Sequence, residues 1–263
     1  MLAVLSPSRA AEKALELFST PQYRSKRPPP DIFNKGERIH FLQNGKKVKG
    51  WRWNEKSEKK LLILHGYESS ARKFDHHISR GIKKGYAVYA FDAPAHGNSE
   101  GKMINLIDYI EMIRNVETIY GKMDAFICHS FGGIAVSQYM ETVKHDSNLK
   151  IVLIAPATET TSAIDGFFTF LQLSQKVRKE FERKIHERSG HWPSHFSIAR
   201  AMKNIKASVL WVHDEEDQVT PLKDVQKVID RSYPNVEFMI TKGLGHNKIY
   251  RDNEVKRKIF SFL

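Results

Sequence analysis

From Leu61 onward the chain alternates short apolar runs with stretches of helical spacing, and this rhythm restricts its fold more than any other feature. The runs LLILHG, YAVYAFD, DAFICHS, KIVLIAPA, SVLWVHD and VEFMITKG are apolar at successive positions, as strands covered on both faces must be. Between them, ARKFDHHISRGIKKG, INLIDYIEMIRNVETIY, FGGIAVSQYMETV and LKDVQKVIDRSY place apolar residues at helical intervals. Alternation of this kind yields parallel strands joined by helical crossovers. The expected fold is α/β, a mostly parallel, doubly wound sheet of about eight strands.

Two segments break the rhythm. RIHFLQNGKKVKGWRW carries Asn44-Gly45 between two alternating runs, and these residue types tolerate the positive φ that a tight hairpin requires, so an antiparallel hairpin leads the sheet. Residues 158–199, with IDGFFTFLQLSQKVRKEFERKIHERSGHWPSHF, are too long for a simple crossover. They are expected to form a helical lid of two or more helices. Residues 1–37 precede the core as a short helix from about Pro7 to Phe18, with Ala10, Ala14, Leu17 and Phe18 on one side, followed by an arm broken by prolines. The core then comprises residues 38–157 and 200–263.

Composition narrows the classes of function. With 41% hydrophobic and 27% charged residues in 263, the chain has material for a large core and no signature of disorder. No apolar run approaches the ~20 residues of a membrane span, and MLAVLSPSRAAEKALELF has neither a basic leader nor a cleavage site. The expected address is the cytoplasm, with no membrane partner. One cysteine, Cys128, excludes an intrachain disulfide and a thiolate-based zinc cluster. The net charge of +12 comes from scattered basic residues without a nucleic-acid motif, so no specific nucleic acid is expected. His76 and His77 are adjacent on a helix and point about 100° apart, and neither a P-loop nor Gly-x-Gly-x-x-Gly occurs. No metal and no cofactor are expected, and the oligomeric state is left open.

Ligands of open parallel sheets bind past the carboxyl ends of the strands. There the sequence places His65-Gly66-Tyr67, Asp92 with His96, His129-Ser130-Phe131, Asp217 and His246. A serine, a carboxylate and a histidine are what nucleophilic acyl transfer needs: a hydroxyl, a base to take its proton and an acid to orient the base. From these residues alone Ser130 is equally a helix N-cap. Asp217, crowded by Asp214, Glu215 and Glu216, is equally part of a solvated acidic loop.

CHSFGG resembles the nucleophile elbow of the α/β-hydrolase superfamily, with Cys128 where glycine is usual, and the resemblance extends from about Arg38 to Leu263. LLILHGYESS is similar to the segment that completes the superfamily's oxyanion hole. AFDAPAHGNSEG resembles the loop after the next strand, with Ala95 in place of a frequent glycine. LWVHDEEDQVTP and GLGHNKIY resemble the segments that carry the catalytic acid and histidine. The resemblance implies Ser130 as nucleophile, His246 as base, Asp217 as acid, and the backbone N–H groups of Tyr67 and Phe131 as oxyanion donors. It implies a scaffolding role for Asp92 and His96. A serine at the elbow argues against dehalogenation and epoxide hydrolysis, which use a carboxylate nucleophile. In the lid, Phe167, Phe168, Phe170, Leu171, Leu173, Trp192 and Phe196 offer packing and a candidate acyl pocket, in which Phe167, Phe168, Phe170 and Trp192 are the chosen lining. The expected substrate is a small to medium carboxylic ester or thioester. An acyltransferase using the same triad, or a catalytically silent scaffold that binds a partner, is the alternative.

Overall fold

A computed structural model describes residues 6–24 and 28–263. Residues 1–5 and 25–27, on which the leader reading and part of the basic arm rest, lie outside the described residues. Eight strands, β1 (Glu37–Gln43), β2 (Lys46–Trp53), β3 (Lys60–Leu64), β4 (Ala87–Phe91), β5 (Ala125–His129), β6 (Lys150–Ile154), β7 (Ser208–Asp214) and β8 (Val236–Thr241), form one sheet in the order β1-β2-β4-β3-β5-β6-β7-β8. Strand β2 alone opposes its neighbours, and all pairings from β4 to β8 are parallel. The β1–β2 turn has φ of 50° at Asn44 and 72° at Gly45, the positive pair that lets a two-residue hairpin follow strand twist.

The helices are α1 (Pro7–Ser19), α2 (Asp75–Lys83), α3 (Leu106–Tyr120), α4 (Phe131–Met140), α5 (Thr160–Phe170), α6 (Gln175–Ser189), α7 (Ile198–Ala201), α8 (Leu222–Asp230), α9 (Gly245–Lys248) and α10 (Asn253–Phe262). Successive strand residues point to opposite faces, so one β3–β5 pair feeds two cores. Leu62, Leu64, Phe126 and Cys128 meet α3, α4 and α8, whereas Leu61, Ile63, Ala125 and Ile127 meet α2 and α10. Only β8 departs from the expectation of burial on both faces: as the outermost strand it leaves Glu237 and Ile240 exposed. No helix among the described residues is long and apolar enough to cross a membrane.

Helices α5 and α6 lie between β6 and α7, and an antiparallel bridge between Glu159 and Ser197 closes the base of this insertion. Ile164, Phe168, Val177 and Phe181 of the insertion share an apolar cluster with Ala11, Ala14 and Leu15 of α1. The N-terminal helix is thus packed on the insertion. Its small alanines allow close approach to α6, and Glu12 pairs with Lys184 at 3.0 Å and Arg188 at 2.5 Å. The buried stripe is Ala11, Ala14 and Leu15, while Leu17 stays 42% exposed, a small rotation from the expected face.

Candidate active site

Ser130 sits between β5 and α4 with φ +52° and ψ −116°, a conformation that costs a residue with a Cβ roughly 1–3 kcal/mol. The surroundings fix it. Its N–H donates to the Ile154 carbonyl at 3.1 Å, and its own carbonyl accepts from Gly133 at 2.9 Å and Ala157 at 3.1 Å. A Cβ on Gly132 would stand 2.7 Å from the Leu64 oxygen and 2.9 Å from the His65 oxygen, so this turn admits only glycine there. Cys128 fills the other flanking position fully buried, where burial pushes its thiol well above the ordinary range. The Ser130 hydroxyl makes no capping bond, so the N-cap alternative does not describe it.

Asp217 and His246, from the loops after β7 and β8, come together: His246 Nδ1 donates to Asp217 Oδ2 at 2.8 Å. Asp217 also accepts from the N–H groups of Val219 (2.8 Å) and Thr220 (2.9 Å) and from the Thr220 hydroxyl (2.8 Å). Burial raises this carboxyl, but the bond and charge of His246 and the two Thr220 bonds outweigh it and hold the pKa below the ordinary value. Asp214 is buried without reaching His246. Its carboxylate accepts from Glu216 and Leu244 N–H, both at 3.0 Å, and from Thr241 at 2.7 Å, which ties the end of β7 to β8 and the histidine loop. His246 is fixed from behind as well, because His129 Nε2 donates to its carbonyl at 3.0 Å with the rings 4.7 Å apart.

The loop after β3 is braced by two neutral histidines. His65 Nδ1 donates to the Gly66 carbonyl at 2.7 Å while Nε2 accepts from Ala93 N–H at 2.9 Å. His96 donates to the Pro94 carbonyl at 2.9 Å and accepts from Glu68 N–H at 3.0 Å, and burial depresses its pKa to about 4. Asp92 accepts from Ala71 and Asn98 N–H groups at 3.0 and 2.8 Å, a loop-holding role as expected. Between these supports, the N–H groups of Tyr67 and Phe131 have no acceptor among the described residues, and the two rings stand 6.0 Å apart.

A cavity of about 630 Å³ opens over Ser130, Phe131 and Tyr67. Of the expected lining residues, Phe167 and Phe170 face it, Phe170 at its mouth with 84% exposure. Phe168 and Trp192 do not, and the expectation is corrected for both. One residue along the helix from Phe167 turns the side chain by about 100°, so Phe168 enters the α1–α6 cluster, 5.1 Å from Phe181. Trp192 lies outside on the His186 ring at 4.5 Å.

Two contributors were not read from the sequence. Thr220 lines the cavity and contacts His246 Nδ1 at 3.2 Å besides Asp217, a bridging role that a residue between Val219 and Pro221 does not announce. Leu15, Leu17 and Phe18 bring α1 into the cavity wall, and the Tyr67 hydroxyl donates to the Phe18 carbonyl at 3.0 Å.

The sheet order, the strained serine turn and the strand-end carboxylate–histidine pair define an α/β hydrolase. Residues 55–197 match the family described as serine aminopeptidase S33, and the chain belongs to that family. It is 22% identical over 228 residues, covering 72% of this chain and 83% of the relative, to a Mycoplasma pneumoniae protein whose name places it among esterases and lipases. It is 24% identical over 242 residues, 74% of this chain and 83% of the relative, to the monoacylglycerol lipase of Mycolicibacterium smegmatis. The Pyrococcus furiosus esterase Pf2001 superposes with a TM-score of 0.69 at 21% identity, over 93% of this chain and 97% of the esterase.

Proposed function

We propose that the protein is a serine hydrolase that cleaves a small to medium carboxylic ester or thioester through an acyl-enzyme on Ser130. The observation that carries this reading is the 2.8 Å bond from His246 Nδ1 to Asp217, and Ser130 on its strained turn after β5 supports it. With Nδ1 donating to the carboxylate, Nε2 is the basic nitrogen. It takes the Ser130 proton as Oγ attacks the acyl carbonyl, then returns it to the leaving alcohol or thiol, and a water repeats the cycle on the acyl-enzyme. Asp217, held ionised by its four bonds, keeps the ring oriented and stabilises the imidazolium. The Tyr67 and Phe131 N–H groups receive the developing oxyanion, each worth about 10²–10³ in rate.

Names of relatives that point to esters, and the apolar cavity wall, support this substrate class. Helices α1, α5 and α6 act as the lid, and about 630 Å³ suits acyl chains of roughly two to eight carbons. On this reading the enzyme works in the cytoplasm on a soluble small molecule, without cofactor or metal, and its scattered basic surface serves neither nucleic acid nor membrane.

Turnover of p-nitrophenyl esters of increasing chain length, beside acyl-coenzyme A thioesters, tests the proposal. Ser130→Ala, His246→Ala and Asp217→Asn are each expected to lower kcat/KM by ~10³-fold or more. Near wild-type turnover in Asp217→Asn, with Asp214→Asn inactive, would reassign the acid.

A further inference from the structure

A second cavity, of about 580 Å³, shares no lining residue with the one over Ser130. Its walls come from the start of α2, the Tyr250–Arg251 turn, α10 and the N-terminal arm, and they are strongly basic. Lys256 lines it although only 7% exposed. Among the described residues no carboxylate pairs with Lys73, Arg251 or Lys256. Glu68, the acid whose charge reaches Lys73, instead accepts from Gln22 N–H at 2.7 Å. Asp75 is the one acid in the lining, with the His76 ring nitrogen 3.9 Å away. At the same wall His77 is 1% exposed, with both ring nitrogens lacking a hydrogen-bond partner. Buried polar groups of this kind are ordinarily satisfied, and buried cations ordinarily paired.

We propose that this basic cavity is a binding site for a phosphorylated small molecule, whose phosphate oxygens accept from Lys73, Arg251 and Lys256. A monoanion would leave two of the three cations unmatched, whereas a phosphate ester or pyrophosphate carries charge and acceptors for all. Helix α2 starts at the cavity with no side-chain cap and with Asp75 as its first residue. Tyr23 at the rim, 54% exposed, offers a ring face to the rest of the ligand. Burial, and after it the charge of Arg251, push the Lys73 amine below its ordinary range against the pull of Glu68.

Isothermal titration of the full chain at 150 mM salt with pyrophosphate, ATP and dihexanoyl phosphatidic acid tests this. Saturable one-to-one binding is expected, weakened on the order of tenfold or more in Lys256→Met and in Lys73→Gln, and unchanged in the exposed control Lys46→Gln. Pyrophosphate should raise the Tm of the wild type and not that of Lys256→Met. Tighter binding of ATP than of pyrophosphate would assign Tyr23 to a base, and tighter binding of the lipid phosphate would assign the site to a headgroup. Absence of saturable binding for all three ligands, or equal weakening in Lys46→Gln, would overturn the proposal.

Discussion

Mild acid is expected to remove most of the stability of this fold, well above the pH at which carboxylates titrate. His65, His77, His96 and His129 are all at most 4% exposed. Burial, reinforced by neighbouring cations or imidazoles, pushes His77 and His129 to about 3 and His96 to about 4, and His65 well below its usual value. Each folded-state value lies below the 6.5 of a free imidazole, so the unfolded chain binds more protons between these limits. Stability is therefore flat above pH 6.5 and falls as the pH drops below it. At pH 5 His77, His96 and His129 each cost about 2 kcal/mol, ~6 kcal/mol together, with His65 and His213 acting in the same sense, against a total of roughly 5–15 kcal/mol for a domain. Asp92, raised by burial, works in the opposite sense and offsets part of this. Asp214 and Asp217, held below 3.8, lose their contribution only as the pH falls through those lower values. Urea unfolding followed by tryptophan fluorescence at pH 7.5, 6.5 and 5.0 measures the slope. His77→Met, which sacrifices no hydrogen bond, should lessen the loss at pH 5.0 by about 2 kcal/mol. A free energy at pH 5.0 within about 1 kcal/mol of that at pH 7.5 would refute the reasoning.

Three substitutions probe the site and its lid with the triad residues themselves unchanged. A Cβ on Gly66 would lie 2.9 Å from both the Ser130 Cβ and the His129 Nδ1, so Gly66→Ala should displace the Tyr67 donor and lower kcat on the order of 10²-fold, measured on a short p-nitrophenyl ester in protein of native circular dichroism. Phe168→Ala should cost roughly 3–5 kcal/mol in stability with the ratio of short- to long-ester kcat/KM intact. Phe167→Ala, in the cavity wall, should shift that ratio by about 1–3 kcal/mol, and equal profiles for the two variants would undo the division between lid core and pocket.

The strand ends were legible in the sequence because topology, not packing detail, sets them: apolar runs mark β3 to β7, and Ser130, Asp217 and His246 follow as short local patterns. The glycines that make the serine turn possible are similarly local, since Gly132 answers to the backbone of Leu64 and His65. What the sequence concealed depends on phase and partner. Phe167 and Phe168 are equally apolar, and only the rotation of α5 against α1 and α6 decides which faces the cavity. Asp214 and Asp217 are three residues apart and both buried, and their bonds to Leu244 and His246 belong to the meeting of two loops. The docking of α1 through Ala11 and Ala14 joins residues about 150 or more positions apart in the chain, a contact that helical spacing cannot specify.

The central claim is that Ser130 is a nucleophile activated by His246, and reaction with a fluorophosphonate probe tests it most directly. After treatment of the full chain, peptide mass mapping is expected to find one stoichiometric adduct on Ser130. It should be absent in Ser130→Ala and form at least ~10²-fold more slowly in His246→Ala. No adduct on the folded wild type, or an adduct on another residue that persists in Ser130→Ala, would contradict the account.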